Sequence, residues 1–198
     1  MRFRKELKYS LSTNELKLLK SNLLKNDFNE IYPKRQVNSC YFDNNSLDLF
    51  RLSLDGIFPR KKVRLRWYDE NVSYCMKEQK ISSIEGRYKL NNSFGEINLK
   101  DIKKYNFFDK DYGLLKPKIL ISYSREYFLY KELRFTFDYN IKYLRIPGIS
   151  QKKLKDFMSV IEVKTKPNIY NDYINYIFGK FDNGFSKYTR GLIFLNQG

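Results

Sequence analysis

Apolar and polar residues alternate along most of this chain, and the spacing turns helical in only a few places. Over residues 2 to 9, Arg4, Glu6 and Lys8 share one face while Phe3, Leu7 and Tyr9 share the other, as in a half-buried strand. Ser12-Thr13-Asn14-Glu15 then reads as a capping box, and Leu16, Leu19, Leu23 and Leu24 give the stripe of the helix it opens. Residues 36 to 43 form a second strand, followed by a short amphipathic segment that ends at Gly56. Pro59 introduces a strand over Arg60 to Tyr68, and Val72 to Lys80 with Ile84 to Leu90 reads as a hairpin. Residues 96 to 105 are a short helical candidate. Ile119 to Tyr130 and Leu133 to Tyr143 are long alternating runs joined by a tight Lys131-Glu132 turn, and Phe157 to Lys166 is the last strand. After Pro167, Asn168 to Phe178 reads as a helix; residues 184 to 188 form a loop before a final apolar segment, Gly191 to Leu195.

The alternation sorts charge as well as hydrophobicity. Between Arg60 and Tyr68, the residues Arg60, Lys62, Arg64 and Arg66 point one way, and Val63, Leu65 and Trp67 point the other. Like charges at period two repel, so such a row suits an anion whose charge is spread along its length, as in a phosphate chain. Farther on, Arg134, Thr136 and Asp138 share a face, and so do Val160, Glu162 and Lys164. Strands of this kind can form a sandwich with a polar exterior, or a barrel whose charged faces line a lumen.

Composition narrows the chemistry. The 198 residues are long enough for one domain with a substantial core, and 17 Tyr with 16 Phe favour strands over a helical bundle. A formal net charge of +16 points to a polyanionic partner. The chain has no histidine, which removes the usual general base, the usual zinc ligand and every Ser-His or Cys-His nucleophile. Chemistry here has to run on carboxylates and cations, with room for a metal only if oxygen ligands hold it. Cys40 and Cys75 lack metal-ligand or redox spacing, and the charged N-terminus leads into no apolar signal segment, so a cytoplasmic location is expected.

The ordered series E-L-K-Y, S-C-Y-F-D, D-G-I-F-P-R-K-K-V-R-L-R-W-Y, E-G-R-Y-K, S-Y-S-R, L-R-F-T-F-D, V-I-E-V-K and F-S-K-Y resembles the VTC domain over nearly the whole chain. That is the catalytic domain of the vacuolar transporter chaperone polyphosphate polymerases, within the wider group of triphosphate tunnel metalloenzymes. The resemblance implies an α+β, mainly antiparallel fold in one domain over residues 1 to 198. It would be a closed eight-stranded β-barrel with flanking helices, forming a tunnel that holds triphosphate with Mn2+ or Mg2+. By the same resemblance Lys8, Arg64, Arg66, Lys77, Lys89, Tyr123, Arg125 and Lys187 fall on phosphate-binding positions and Glu162 on the metal-binding carboxylate. Glu6 would complete the metal shell, and Lys62, Arg134, Lys164 and Ser186 would add phosphate contacts. In that barrel Arg64, Arg66, Arg125 and Glu162 converge on one tunnel.

The sequence departs from the family pattern twice. Arg4-x-Glu6-x-Lys8 stands where the family has E-x-E-x-K, and Cys75-Met76-Lys77 stands where E-x-K is common; the register around Met76 to Lys80 leaves Lys80 as an alternative to Lys77. The function implied is transfer of the γ-phosphoryl group of ATP onto a growing polyphosphate chain. A triphosphatase and a non-catalytic polyphosphate-binding module are the alternatives. ATP or another triphosphate and polyphosphate are the expected partners. Nucleic acid is not expected, since no stacking motif or helix-turn-helix accompanies the charge; a membrane-protein partner and the oligomeric state stay open.

Overall fold

The computed structural model describes residues 5–25, 28–130, 133–146, 153–165, 171–178 and 181–197. Its elements, in chain order, are strand β1 (Lys5–Ser12), helix α1 (Thr13–Leu24), β2 (Asn29–Asp43), α2 (Asp48–Leu54), β3 (Arg60–Tyr68), β4 (Asn71–Ser82) and β5 (Arg87–Gly95). A 3-10 turn at Leu99–Lys104 precedes β6 (Phe107–Asp109), β7 (Gly113–Tyr130), β8 (Leu133–Arg145), β9 (Leu154–Lys155) and β10 (Met158–Thr165). Helix α3 (Asn171–Phe178), β11 (Asp182–Asn183) and helix α4 (Lys187–Gln197) complete the chain. The expected turn at Lys131-Glu132 and the position of Arg4 lie outside the described residues.

Among the described residues eleven strands pair in the order β11-β1-β10-β8-β7-β2-β3-β4-β5, with β6 added to β7 and β9 to β8. The closed eight-stranded barrel is therefore corrected: the sheet is open, with β11 and β5 as its two ends. Alternation fixes the face each side chain takes, but it carries no information on whether two edges meet. At one end β11 offers only Asp182 and Asn183, and at the other β5 leaves residues 87 to 93 exposed. Arg87, Lys89, Asn91 and Asn92 on that strand suit a solvated edge.

Contacts divide the chain into two compact units. One comprises Met1–Gln36, Tyr123–Ile141 and Lys155–Ser186; the other comprises Val37–Ser122, Lys142–Leu154 and Lys187–Gly198. In the first unit the expected capping box forms. Glu15 N donates to Ser12 Oγ at 3.2 Å and Ser12 N donates to Glu15 Oε2 at 2.7 Å, satisfying two donors that the helix start would leave open. Helix α1 then buries Leu16, Leu19 and Leu23 in a core with Tyr9, Leu11, Phe135, Phe137, Ile161 and Val163. Phe178 of α3 stacks on Tyr9 at 5.3 Å and lies 5.5 Å from Phe135, so helices cover the apolar face of β1, β10 and β8. Burying each such side chain contributes roughly 1.5–3 kcal/mol.

The second unit packs Cys40, Phe42, Val63, Leu65, Trp67, Cys75, Ile97 and Leu115 into a separate core. Helix α2 has Leu47 at its N-cap, a residue that offers no side-chain cap. Asp43, fully buried at the end of β2, accepts hydrogen bonds from the backbone N of Asn44, Leu49 and Phe50 at 2.9, 3.0 and 2.9 Å. It also accepts from the Tyr188 hydroxyl at 2.6 Å, which ties α4 to the start of α2. Gly56, with φ +72, takes the left-handed turn that ends α2 as the sequence suggests. The final apolar segment, Gly191 to Leu195, is the middle of α4.

Candidate functional site

Each unit carries a charged cluster on the sheet face opposite its core. In the first unit, antiparallel pairing sets Lys8 opposite Glu162 and Glu162 opposite Thr136, with Glu6, Lys164 and Arg134 aligned in the next row. Partners across antiparallel strands share a face, so six polar groups gather there. Lys8 Nζ lies 3.6 Å from both Glu6 Oε1 and Glu162 Oε2, and Lys164 Nζ lies 3.1 Å from Glu162 Oε1. Arg125 comes from β7. Its Nε and Nη2 donate to the two oxygens of the fully buried Asp138 at 2.6 and 2.7 Å, and Nη2 lies 3.8 Å from Glu162. The ring of Tyr123, itself buried, lies 5.3 Å from the guanidinium carbon.

Burial pushes the Glu162 carboxyl up, but Lys8, the hydrogen bond with Glu6, Arg125 and Lys164 together outweigh it and hold the carboxyl well below its usual range. Glu162 is thus a buried, charged oxygen donor. With Glu6 it supplies two carboxylates on one face. Among the described residues no group of three or more His, Cys, Asp or Glu side chains gathers to hold a metal ion. Two carboxylates suit a small hard ion that keeps its waters and takes its remaining ligands from substrate phosphates.

In the second unit, β2, β3, β4 and β5 build a more strongly cationic face. The registers Tyr41↔Arg64↔Glu78 and Ser39↔Arg66 place these groups together, and Lys62↔Lys80↔Lys89 adds three ammonium groups in a neighbouring row. Glu78 is the carboxylate at the centre. It accepts from Arg64 Nε at 2.7 Å, pairs with Arg64 Nη2 at 2.6 Å, and accepts from Lys89 Nζ at 2.5 Å, with Arg66 Nη1 at 3.6 Å. Burial raises the Glu78 carboxyl, but Arg64, Arg66 and Lys89 bring it down to about 2. Arg64 Nη1 also donates to the Tyr41 hydroxyl at 2.6 Å, and Arg66 Nε donates to Ser39 Oγ at 3.1 Å. Burial lowers Lys89, and Glu78 counters this while Arg64 and Arg66 add to it, so the ammonium ends below its ordinary value.

The structure thus joins Lys8, Arg125, Glu162, Glu6, Lys164, Arg134 and Tyr123 in one unit, and Arg64, Arg66, Lys62 and Lys89 in the other. Lys187 is the first residue of α4 and Ser186 immediately precedes it, both half-buried. Lys77 is placed differently. It pairs with Leu65, on the face opposite Arg64, and its Nζ sits 4.0 Å from the centre of the Phe107 ring. In the pairing with β3, Glu78-Gln79-Lys80 presents an E-x-K spacing on the cationic face, with its carboxylate three residues after Cys75. Both parities of this strand mix apolar and charged residues, and only pairing with β3 separates them. Glu78, Tyr41 and Ser39 were not singled out in the sequence. The E-x-K spacing at Glu78 was the available signal.

Comparison with known proteins follows the same lines. The family model of the VTC domain matches residues 3–196. No curated protein matches the chain. Among solved structures, a protein from Vibrio parahaemolyticus, named as a candidate adenylate cyclase, is similar with a TM-score of 0.53 at 14% identity, covering 96% of this chain and 98% of its own. A conserved hypothetical protein from Pyrococcus furiosus is similar at 0.53 and 13% identity, covering 89% and 90%. A Hippeastrum protein, a candidate adenylyl cyclase with a dominant triphosphatase activity, is similar at 0.51 and 16% identity, covering 94% and 91%. At these identities the likeness speaks for the fold. Among the described residues no helix is long and apolar enough to cross a membrane.

Proposed function

The chain belongs to the VTC domain family, and from that premise we propose that it transfers the γ-phosphoryl group of ATP onto a growing polyphosphate chain. The observation that carries this reading is the face built by β3, β4 and β5, where Lys62, Arg64, Arg66, Lys80 and Lys89 surround Glu78. Cations repeated at strand spacing suit an extended polyanion better than one compact anion. Arginine guanidinium groups hold phosphate oxygens in a fixed geometry, while the lysines act as point charges.

Phosphoryl transfer asks little covalent chemistry of a protein; positioning and charge neutralisation supply most of the barrier reduction. A chain without histidine is suited to that. In the first unit Lys8, Arg125 and Lys164 would bind phosphate oxygens, with Tyr123 supporting the Arg125 guanidinium and Ser186 as a further phosphate contact; in the second unit Lys187 would add another. Glu162 and Glu6 would hold Mn2+ or Mg2+, which when bound supplies positive charge at the phosphate oxygens. Asp138 fixes Arg125 through both of its oxygens, so that guanidinium meets a ligand already oriented.

The test is incubation of the purified chain with ATP and Mn2+ and resolution of the products on a gel. A ladder of long chains is the expected result. Only ADP and phosphate would mark a triphosphatase, and tight polyphosphate binding with neither product would mark a binding module. Glu162→Gln should abolish metal-dependent turnover while polyphosphate still binds, because the amide loses the charge that retains a hard cation. Arg64→Ala should weaken polyphosphate binding itself. Equal behaviour of the two variants in both assays would sink the division of roles.

A further inference from the structure

The charged face of the first unit holds a buried group that no contact uses. Thr136 is 8% exposed, and its Oγ1 is buried without a hydrogen-bond partner. A buried hydroxyl in that state has given up its hydrogen bonds to water and received none in return. Two other buried hydroxyls share that condition among the described residues, Ser53 and Ser159. Ser53 lies on α2 of the second unit, and Ser159 pairs with Leu11 on the core side of the first. Thr136 instead stands in the row Lys8, Glu162, Thr136, flanked on its own strand by Arg134 and Asp138. Valine has the same shape, fits a strand equally well and would remove the unmet hydroxyl.

The charges around Thr136 are already paired: Arg125 is held by Asp138, and Glu162 faces Lys8, Lys164 and Arg125. A neutral donor there adds a hydrogen bond to an anionic oxygen without altering the charge that attracts it. We propose that the Thr136 hydroxyl is a ligand-binding group, donating a hydrogen bond to an oxygen of the triphosphate, or of its metal-bound water, held at Glu162. The inference rests on the triphosphate reading above.

The experiment compares wild type, Thr136→Val and Thr136→Ser in thermal unfolding of the free chain and in calorimetric binding of tripolyphosphate, with Mn2+ and with EDTA. The valine variant should be at least as stable as wild type when free and should bind about tenfold or more weakly, the loss expected for one hydrogen bond to a charged group. Serine should restore most of the affinity. A deficit that persists in EDTA assigns the contact to a phosphate oxygen, and one seen only with Mn2+ assigns it to metal-bound water. Equal affinity of wild type and the valine variant overturns the inference, and so does a clearly less stable free valine variant, which would reveal a structural partner for the hydroxyl. A wild type that binds no tripolyphosphate overturns instead the reading on which the inference rests.

Discussion

Tyr41 is the group through which the cationic face can be read directly. Its ring stacks on Tyr188 at 4.9 Å, its hydroxyl accepts from Arg64 at 2.6 Å, and it is 7% exposed. Burial alone raises a phenol; here Arg64, Arg66 and Lys62 outweigh it and bring Tyr41 down to about 7. The unfolded chain has its tyrosines near about 10, so between those values the native state binds fewer protons than the unfolded one. Stability contributed by Tyr41 is therefore absent below about pH 7, rises through that window and is complete above about pH 10. Three units correspond to about 4 kcal/mol in full, of which about 3 kcal/mol is present at about pH 9. Tyr41→Phe keeps the stack and removes one oxygen. Urea unfolding of both proteins at about pH 6 should show only the lost hydrogen bond, about 1 kcal/mol, and the gap should widen by about 3 kcal/mol at about pH 9. Groups that titrate in both proteins cancel in the difference. A tyrosinate band that appears in wild type near neutral pH and is missing from the variant would support the same account. A gap that stays constant across the range would refute the reasoning, since it would mean that the cations do not act on Tyr41 as a charge.

Glu78→Gln removes the carboxylate that offsets Arg64, Arg66 and Lys89, and from its position at about 2 it should cost about 3 kcal/mol at neutral pH. Because that carboxyl is depressed, its contribution is present above about pH 4.5 and disappears as pH falls toward about 2, so the two proteins should converge in acid unfolding. Tripolyphosphate should stabilise this variant against heat more than it stabilises wild type, since it would replace the missing negative charge. The register of β4 has its own test: Lys80→Met should weaken polyphosphate binding in calorimetry, while Lys77→Met should leave it near wild type. The reverse order would place Lys77 on the ligand side.

Much of this protein was legible from its alternation. The strand over residues 60 to 68 forms where the pattern sets it, the capping box at Ser12 closes with both of its hydrogen bonds, and Glu162 shares a face with Lys164 as period two requires. These features are local: a capping box spans four residues, and the side-chain direction on a strand follows from the parity of the position. The ordered motifs likewise carried the family, because they hold over nearly the whole chain. What remained undecided depends on groups far apart in sequence. Whether the sheet closes is settled at β11 and β5, two edges that no local pattern relates. Which of Lys77 and Lys80 lies on the charged face could not be read on a strand whose two faces read alike, and pairing of Glu78 with Arg64 and of Lys77 with Leu65 of β3 decides it. The depression of Tyr41 and Glu78 arises from cations on neighbouring strands, and Asp43 caps α2 while receiving Tyr188 from 145 positions along the chain. Periodicity thus determined the faces, and long-range pairing decided which faces meet and which charges they share, because Coulomb energy depends on distance in space and not on separation in sequence.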